Sequence, residues 1–334
     1  MNVAFDSRAA KDTRGVGRYA RSLLPALVAT GRGGVIETHS PQRTRADVYH
    51  SPWLDGALLH SPVPMVVTVH DLIALKTPGE ALRRGLRMRM RYLAVQRAVR
   101  VIVPTSVVAD DVMAALQIPS ERVHVIPEAA APVFHPRPRA EVEAVRARYS
   151  LPDEYLLWVG GLTTPDTHKR IVPLTRAKRS LPLVLVGPSG AWAHNLPGVI
   201  LTGEVPDEEL AAIYTAAHAL VFPSADEGFG LAPVEALACG TPVVSCDVPT
   251  LRETLGDRAQ LLPPDDIDAL VRAAEAATRP APTPQRWSWD DAADASWNVY
   301  EAAATAPAGR ICHHAGTPRL ATRRRARERA SGVR

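Results

Sequence analysis

The chain has 334 residues, with 46% apolar and 22% charged side chains, a balance that suits a soluble globular protein large enough for two cores. No stretch reaches the roughly 18 uncharged apolar residues of a membrane span, and the charged first 25 residues lack the apolar centre of a secretory leader, so a cytoplasmic protein is expected. Residues 310–334 carry eight Arg against one Glu, so the net charge of +4 belongs to a tail and implies no nucleic-acid partner for the folded part.

In chain order, Val3–Phe5 is a short buried strand, and Asp12 to Gly17 is a loop. Tyr19 to Ala29 forms a helix with Leu23, Leu24, Leu27 and Val28 on one face, although Pro25 lies inside it. Asp47–His50, Met65–Val69, Val101–Val103 and Val123–Ile126 are further short strands, with a helix from Ser106 carrying Val107, Val108, Val112, Met113 and Leu116. Three prolines between Pro132 and Pro138 mark the rim of a domain boundary. The pattern then restarts with Tyr155–Val159, Leu183–Val186, Val199–Leu201, Ala219–Phe222 and Pro242–Ser245. A Pro-, Ala- and Thr-rich linker at 276–286 leads to a last helix, Trp287 to Ala304, and to a basic tail expected to be disordered. Apolar runs alternating with helical segments imply parallel sheets covered on both faces, and the alternation occurs twice. The fold class is therefore α/β, with two doubly wound, Rossmann-like domains. The first spans 1–150 with a returning helix at 287–305, the second 151–286, and the tail 306–334. Few residues separate the first helix from Asp47, so part of the first sheet is expected to be missing or rearranged.

The sharpest chemical signal is the run Ser224 to Val244. Glu227 precedes a turn with Gly228 and Gly230, the turn opens a helix, and Glu235 lies one turn further in. Glycines let a ligand approach the backbone, and the free amides near Phe229, Gly230 and Leu231 face an anion. A lone Gly-x-Gly is more often a packing turn, but here two carboxylates eight apart flank it. Gly15 and Gly17, between a first strand and a helix, suit a phosphate in the same way. Thr68-Val69-His70-Asp71-Leu72 follows a buried strand, where open α/β sheets place ligands, although a His satisfied by Asp71 or backbone is the plainer account. Asp266-Ile267-Asp268 is better explained as a helix cap than as a metal motif. Cys312-His313-His314 lies in the tail without a second ligand pair. Neither is taken as a site, and no metal site is expected. Cys239, Cys246 and Cys312 are an odd number without framework spacing and read as reduced thiols.

The run around Glu227 and Glu235 resembles the E-x7-E signature of retaining family 4 (group 1) GT-B glycosyltransferases. The likeness extends through Val101–Ser106 and Arg122–Pro127, through Tyr155–Gly161, and to Ser288-Trp289. The resemblance implies a GT-B fold whose two domains face a central cleft. It implies that Glu235 holds the ribose of a nucleotide, that Glu227 lies by the donor sugar, and that the amides of Phe229, Gly230 and Leu231 hold sugar or phosphates. It places Gly15 and Gly17 opposite the diphosphate, and His70 between donor sugar and acceptor. Gly161 stands where the family usually has an Arg; Lys169 matches its Lys, and His168 or Arg170 is left as a second cation, if there is one. Transfer of a hexose, with a mild preference for mannose, from a nucleoside diphosphate sugar to a glycan, glycolipid or small-molecule hydroxyl follows. Retention of configuration, no required metal or other cofactor, and a leaving phosphate acting as base follow too. A degenerate binding or regulatory protein and a nucleotide-sugar epimerase are the rival readings.

Residues 81–100 hold seven Arg and no acid, with Leu82, Leu86, Met90, Leu93 and Ala94 as an apolar face. The commoner account is a helix that turns this face to the core and solvates its arginines. The other is an amphipathic helix on an anionic membrane surface, assisted by Arg323–Arg329 and placing the protein peripherally on the inner face.

Overall fold

The computed structural model describes residues 1–13, 15–40, 45–76 and 78–306, without the side chains of 78–84. Arg14, Cys312-His313-His314 and the Arg-rich tail lie outside these, as does the side chain of Leu82. The elements alternate as expected: β1 (Asn2–Asp6), α1 (Gly15–Ala29), β2 (Gly34–Thr38), β3 (Val48–Ser51), β4 (Met65–Thr68), α2 (Ile73–Lys76), α3 (Pro78–Gln96), β5 (Arg100–Val103), α4 (Ser106–Leu116) and β6 (Val123–Val125). There follow α5 (Arg139–Tyr149), β7 (Leu156–Val159), α6 (Ile171–Arg176), β8 (Leu183–Val186), β9 (Val199–Gly203), α7 (Asp207–Ala216), β10 (Ala219–Phe222), α8 (Leu231–Ala238), β11 (Val243–Cys246), α9 (Pro249–Leu255), β12 (Gln260–Leu262), α10 (Ile267–Glu275) and α11 (Trp289–Ala304).

Both sheets are parallel throughout and six-stranded, in the orders β2-β1-β3-β4-β5-β6 and β12-β11-β10-β7-β8-β9. The first sheet is thus not short of strands. The strands missing from the sequence reading are β2 and, in the second sheet, β12; both are edge strands that carry no buried apolar pattern. The central strands β3, β4, β8, β10 and β11 are buried along their whole length, because helices cover both faces.

Two boundaries differ from expectation. Helix α1 starts at Gly15, four residues early, so Gly15 and Gly17 belong to its first turn and not to a loop. A Cβ on residue 17 would lie 1.7 Å from the Asp12 carbonyl oxygen, which rests on that turn, so only glycine fits. Helix α5, whose Arg- and Glu-rich sequence hides it, packs on α7, and Phe134 and Val145 join the core of the second sheet. These contacts put α5 with the second sheet.

The chain returns to the first domain through α11. Ser288 caps it, its Oγ accepting from the Asp291 amide at 3.0 Å. Trp289, Ala293, Trp297 and Tyr300 pack against Tyr19, Ala20, Leu23 and Leu27 of α1. The Trp297 indole also donates to the Leu27 carbonyl at 3.2 Å. Below them runs a buried polar chain: Tyr300 Oη to His50 Nδ1 at 2.7 Å, His50 Nε2 to Thr68 Oγ1 at 2.9 Å, and Thr68 Oγ1 to Tyr19 Oη at 3.1 Å. Burial drives the His50 pKa down to about 3, so the ring is neutral, with one nitrogen donating and the other accepting.

Trp297 is fully buried. Trp297→Ala should cost about 3–5 kcal/mol in a urea melt. A loss under about 1 kcal/mol would mean that α11 contributes little to the first core.

Candidate active site

In a parallel sheet the loops after the strands emerge on one side, and here both sets of loops face the same cleft. Two cavities occupy it. The first, of about 140 Å³, is lined by Gly160 and Gly161 after β7, Gly187 after β8, Asp207 of α7, and Leu231 and Glu235 of α8. Gly15, Arg18 and Arg21 of α1 close it from the other side. The second, of about 320 Å³, is lined by His70 and Asp71 after β4, Glu128 after β6, Asp166 to Lys169, and Glu227 to Leu231, again with Gly15. Gly15 and Leu231 line both, so the cavities meet at the start of α8. There the amides of the first helical turn have no partner within the helix and the dipole favours an anion.

Of the residues singled out in the sequence, His70, Lys169, Glu227, Phe229 and Gly230 come together in the second cavity, and Gly161 and Glu235 in the first. Gly17 lines neither; it is buried beneath the Asp12 carbonyl. The Phe229 ring packs 5.3 Å from that of Trp287. Gly228 is pinched between the domains. A Cβ there would lie 1.9 Å from the His70 carbonyl oxygen, and its own carbonyl accepts from Thr105 Oγ1 at 3.1 Å. Lys76 Nζ to Asp226 at 3.0 Å, and Ser106 N and Oγ to Glu253 at 2.8 and 2.7 Å, hold the same seam.

His70 is bound at both ring nitrogens, Nδ1 to Glu128 Oε1 and Nε2 to the Pro52 carbonyl, each at 2.9 Å. Burial works against charging this ring, but the Glu128 carboxylate outweighs it and lifts its pKa. Two acceptors on one imidazole fit the imidazolium, which donates at both positions. The plainer account, a His satisfied by Asp71 or backbone, holds for the backbone, through the Pro52 carbonyl, while the side-chain partner is not Asp71 but Glu128, 58 residues away, which no local pattern announces.

Lys169 donates to the Gly161 carbonyl at 3.3 Å. Of the two candidates for a second cation, Arg170 turns away to the Pro264 carbonyl. His168 lines the cavity and pairs with Asp166, which raises its pKa against the effect of burial. The Glu227 carboxyl is pushed up by burial, against the pull of Ser224, His168 and Lys169. Asp266 accepts from the Ala269 amide at 2.7 Å as the cap of α10, as its context implied.

Glu235 is 2% exposed. Its Oε1 accepts from Arg18 Nη1 at 2.8 Å and its Oε2 from Tyr214 Oη at 3.1 Å. Burial outweighs Arg18 and pushes this carboxyl up to about 7.

The sequence matches the description "Glycosyl transferases group 1" over residues 153–279 and "Glycosyltransferase Family 4" over 35–130. It is 32% identical over 309 residues to the D-inositol 3-phosphate glycosyltransferase of Mycolicibacterium smegmatis, covering 82% of this chain and 70% of that one. The chain belongs to the group 1 glycosyltransferases. The chain is also 29% identical over 245 residues to O-antigen chain mannosyltransferase B of Escherichia coli, covering 67% of its own length. The match spans 63% of that relative. Among solved structures, Anabaena HepE in complex with UDP and glucose superposes with a TM-score of 0.60 at 15% identity, over 91% of this chain and 94% of that one. The shared fold is GT-B.

The folded pKa of Glu235, about 7 against an ordinary 4.5, means that the folded chain holds this proton more tightly than the unfolded chain. The buried carboxylate thus costs stability in full above pH 7, and the cost is relieved as pH falls from 7 toward 4.5. Glu235→Gln removes this titration while leaving Asp207 to Arg18. Its melting temperature should rise relative to the parent as pH goes from about 5 to about 8. A difference that stays flat across that range would show that Glu235 does not titrate there.

Proposed function

We propose that this chain transfers a hexose from a nucleoside diphosphate sugar to a hydroxyl of a glycan, glycolipid or small molecule, with retention of configuration and without a required metal. The observation that carries this reading is the pair of cavities joined at the start of α8. The first, with Glu235 at its base, suits a nucleoside whose ribose hydroxyls donate to that carboxylate. The second, ringed by His70, Glu227 and the His168–Lys169 pair, suits a sugar. Their junction at Gly15 and Leu231 suits the diphosphate between them. The UDP and glucose bound in the HepE structure support the same class of donor, and the named mannosyltransferase relative supports a mannose-type sugar.

In this reading Lys169 and the His168 imidazolium stabilise the charge that develops on the leaving diphosphate. The freed phosphate oxygen takes the proton of the acceptor hydroxyl as the new glycosidic bond forms on the face that the phosphate leaves. Glu227 positions the sugar and is not a nucleophile. His70, bound at both nitrogens, presents a ring held in place and its carbonyl, not a mobile proton.

With GDP-mannose or UDP-glucose, a cell glycolipid pool and a chelator, labelled sugar should pass to an acceptor, and Lys169→Ala should lower kcat about 10²–10³-fold. Donor binding without turnover would favour a degenerate binding protein. Donor isomerisation without acceptor would favour an epimerase.

The acceptor side supports an anionic membrane surface as partner. The core face of α3 is Met88, Tyr92, Ala94 and Val95, whereas Leu86, Met90 and Leu93 are exposed at 74%, 39% and 43%, among exposed Arg87 and Arg89. The expectation that Leu86, Met90 and Leu93 turn to the core is thus overturned. Apolar tips among arginines suit insertion between anionic headgroups. The chain should sediment with phosphatidylglycerol vesicles and not with phosphatidylcholine vesicles, and Leu86→Ser with Met90→Ser should reduce this severalfold. Equal binding by the double variant would remove α3 from the contact.

A further inference from the structure

Arg18 belongs to the first domain by sequence and to the second by its contacts. It projects from the first turns of α1, yet its guanidinium donates to Glu235 Oε1 and Asp207 Oδ1, each at 2.8 Å. It also lies 4.9 Å over the ring of Phe134, a residue of the second core. Its side chain is only 18% exposed. Tyr214 donates to the other Glu235 oxygen, so each oxygen carries one donor and keeps a second lone pair. Ribose hydroxyls donating to Glu235 would compete with these two partners for position around the carboxylate. Tyr214 is fully buried on α7, within the same domain as Glu235. Arg18 comes from the opposing wall and is the partner that can leave.

The charges of the cavity say where it goes. Glu204, Asp207 and Glu235 line it, against Arg18 and Arg21. Arg21 is bound to the carbonyls of Ala10 and Asp12 at 2.7 and 3.0 Å. On the opposite wall, Gly160, Gly161 and Gly187 offer no side-chain charge. A diphosphate entering past three carboxylates needs a cation there, and a planar guanidinium matches phosphate oxygens two at a time.

We infer that Arg18 is a donor-binding residue. Before a donor enters it holds the buried Glu235 carboxylate; with a donor it makes room for the ribose at Glu235 and turns to the diphosphate, with Asp207 keeping one edge of the guanidinium. This inference rests on the donor reading of the first cavity. It assigns to the first domain a cation that the Gly161 position of the second domain does not supply.

The test is calorimetric titration of the full chain with GDP and UDP and with guanosine and uridine, for the parent, Arg18→Gln and Arg18→Lys. The parent should bind one diphosphate more tightly than its nucleoside. Arg18→Gln should weaken the diphosphate about tenfold or more while leaving the nucleoside equal or tighter, because its rival for Glu235 is gone. Arg18→Lys, which keeps the charge, should restore part of the preference for the diphosphate. Equal weakening of nucleoside and diphosphate in Arg18→Gln, with the same in Arg18→Lys, would reduce Arg18 to a brace of the cleft and overturn the inference. An unchanged diphosphate affinity in a folded Arg18→Gln would overturn it as well. A parent that binds no nucleotide at all would remove the donor reading itself, an outcome distinct from both.

Discussion

A parallel sheet releases every strand at the same edge, and two such edges face each other here. That single constraint brings the site together. Gly160 and Gly161 leave β7, Gly187 leaves β8, Glu227 to Gly230 leave β10, His70 leaves β4 and Glu128 leaves β6. None of these segments needs a long loop to reach the cleft. The same geometry explains the glycines. Where Gly228 meets the His70 carbonyl, two domains approach at backbone distance, and any side chain would hold them apart.

Within that seam the governing quantity is the cost of buried charge. Glu235 and Glu128 are 2% and 3% exposed, and each faces a cation contributed from elsewhere in the chain. For His70 the surrounding acceptors, Glu128 foremost, win over burial and the pKa rises; for Glu235 burial wins over the partner and the carboxyl rises to about 7. A carboxylate held at such a cost is poised to exchange one donor for another, because its free energy depends on which donors surround it. A ligand with hydroxyls and a diphosphate supplies both kinds of group at once, donors for Glu235 and acceptors for Arg18.

The two faces of the first domain serve different surroundings. Its α1 side is welded by α11 through Trp297, Tyr300 and the His50–Thr68–Tyr19 chain, which ends with Tyr19 packed edge-on 4.7 Å from His70. Its α3 side leaves Leu86, Met90 and Leu93 in the open. The first domain is thus closely packed behind the cleft and leaves apolar and basic side chains exposed beside it.

The sequence by itself determined what is local. Short apolar runs alternating with helical segments gave the parallel sheets, Asp266 announced a helix start, and Glu227, Gly228, Gly230 and Glu235 formed one contiguous, legible segment. Backbone geometry decides those features within a few residues. The edge strand β2, the allegiance of α5 and the outward face of α3 were not legible, because each depends on which surface the element meets and not on its own periodicity. Only the tertiary structure could join Arg18 to Glu235 across 217 residues, or His70 to Glu128 across 58. A charge pair leaves no periodic trace in a sequence, and its energy exists only once folding has removed water from both partners.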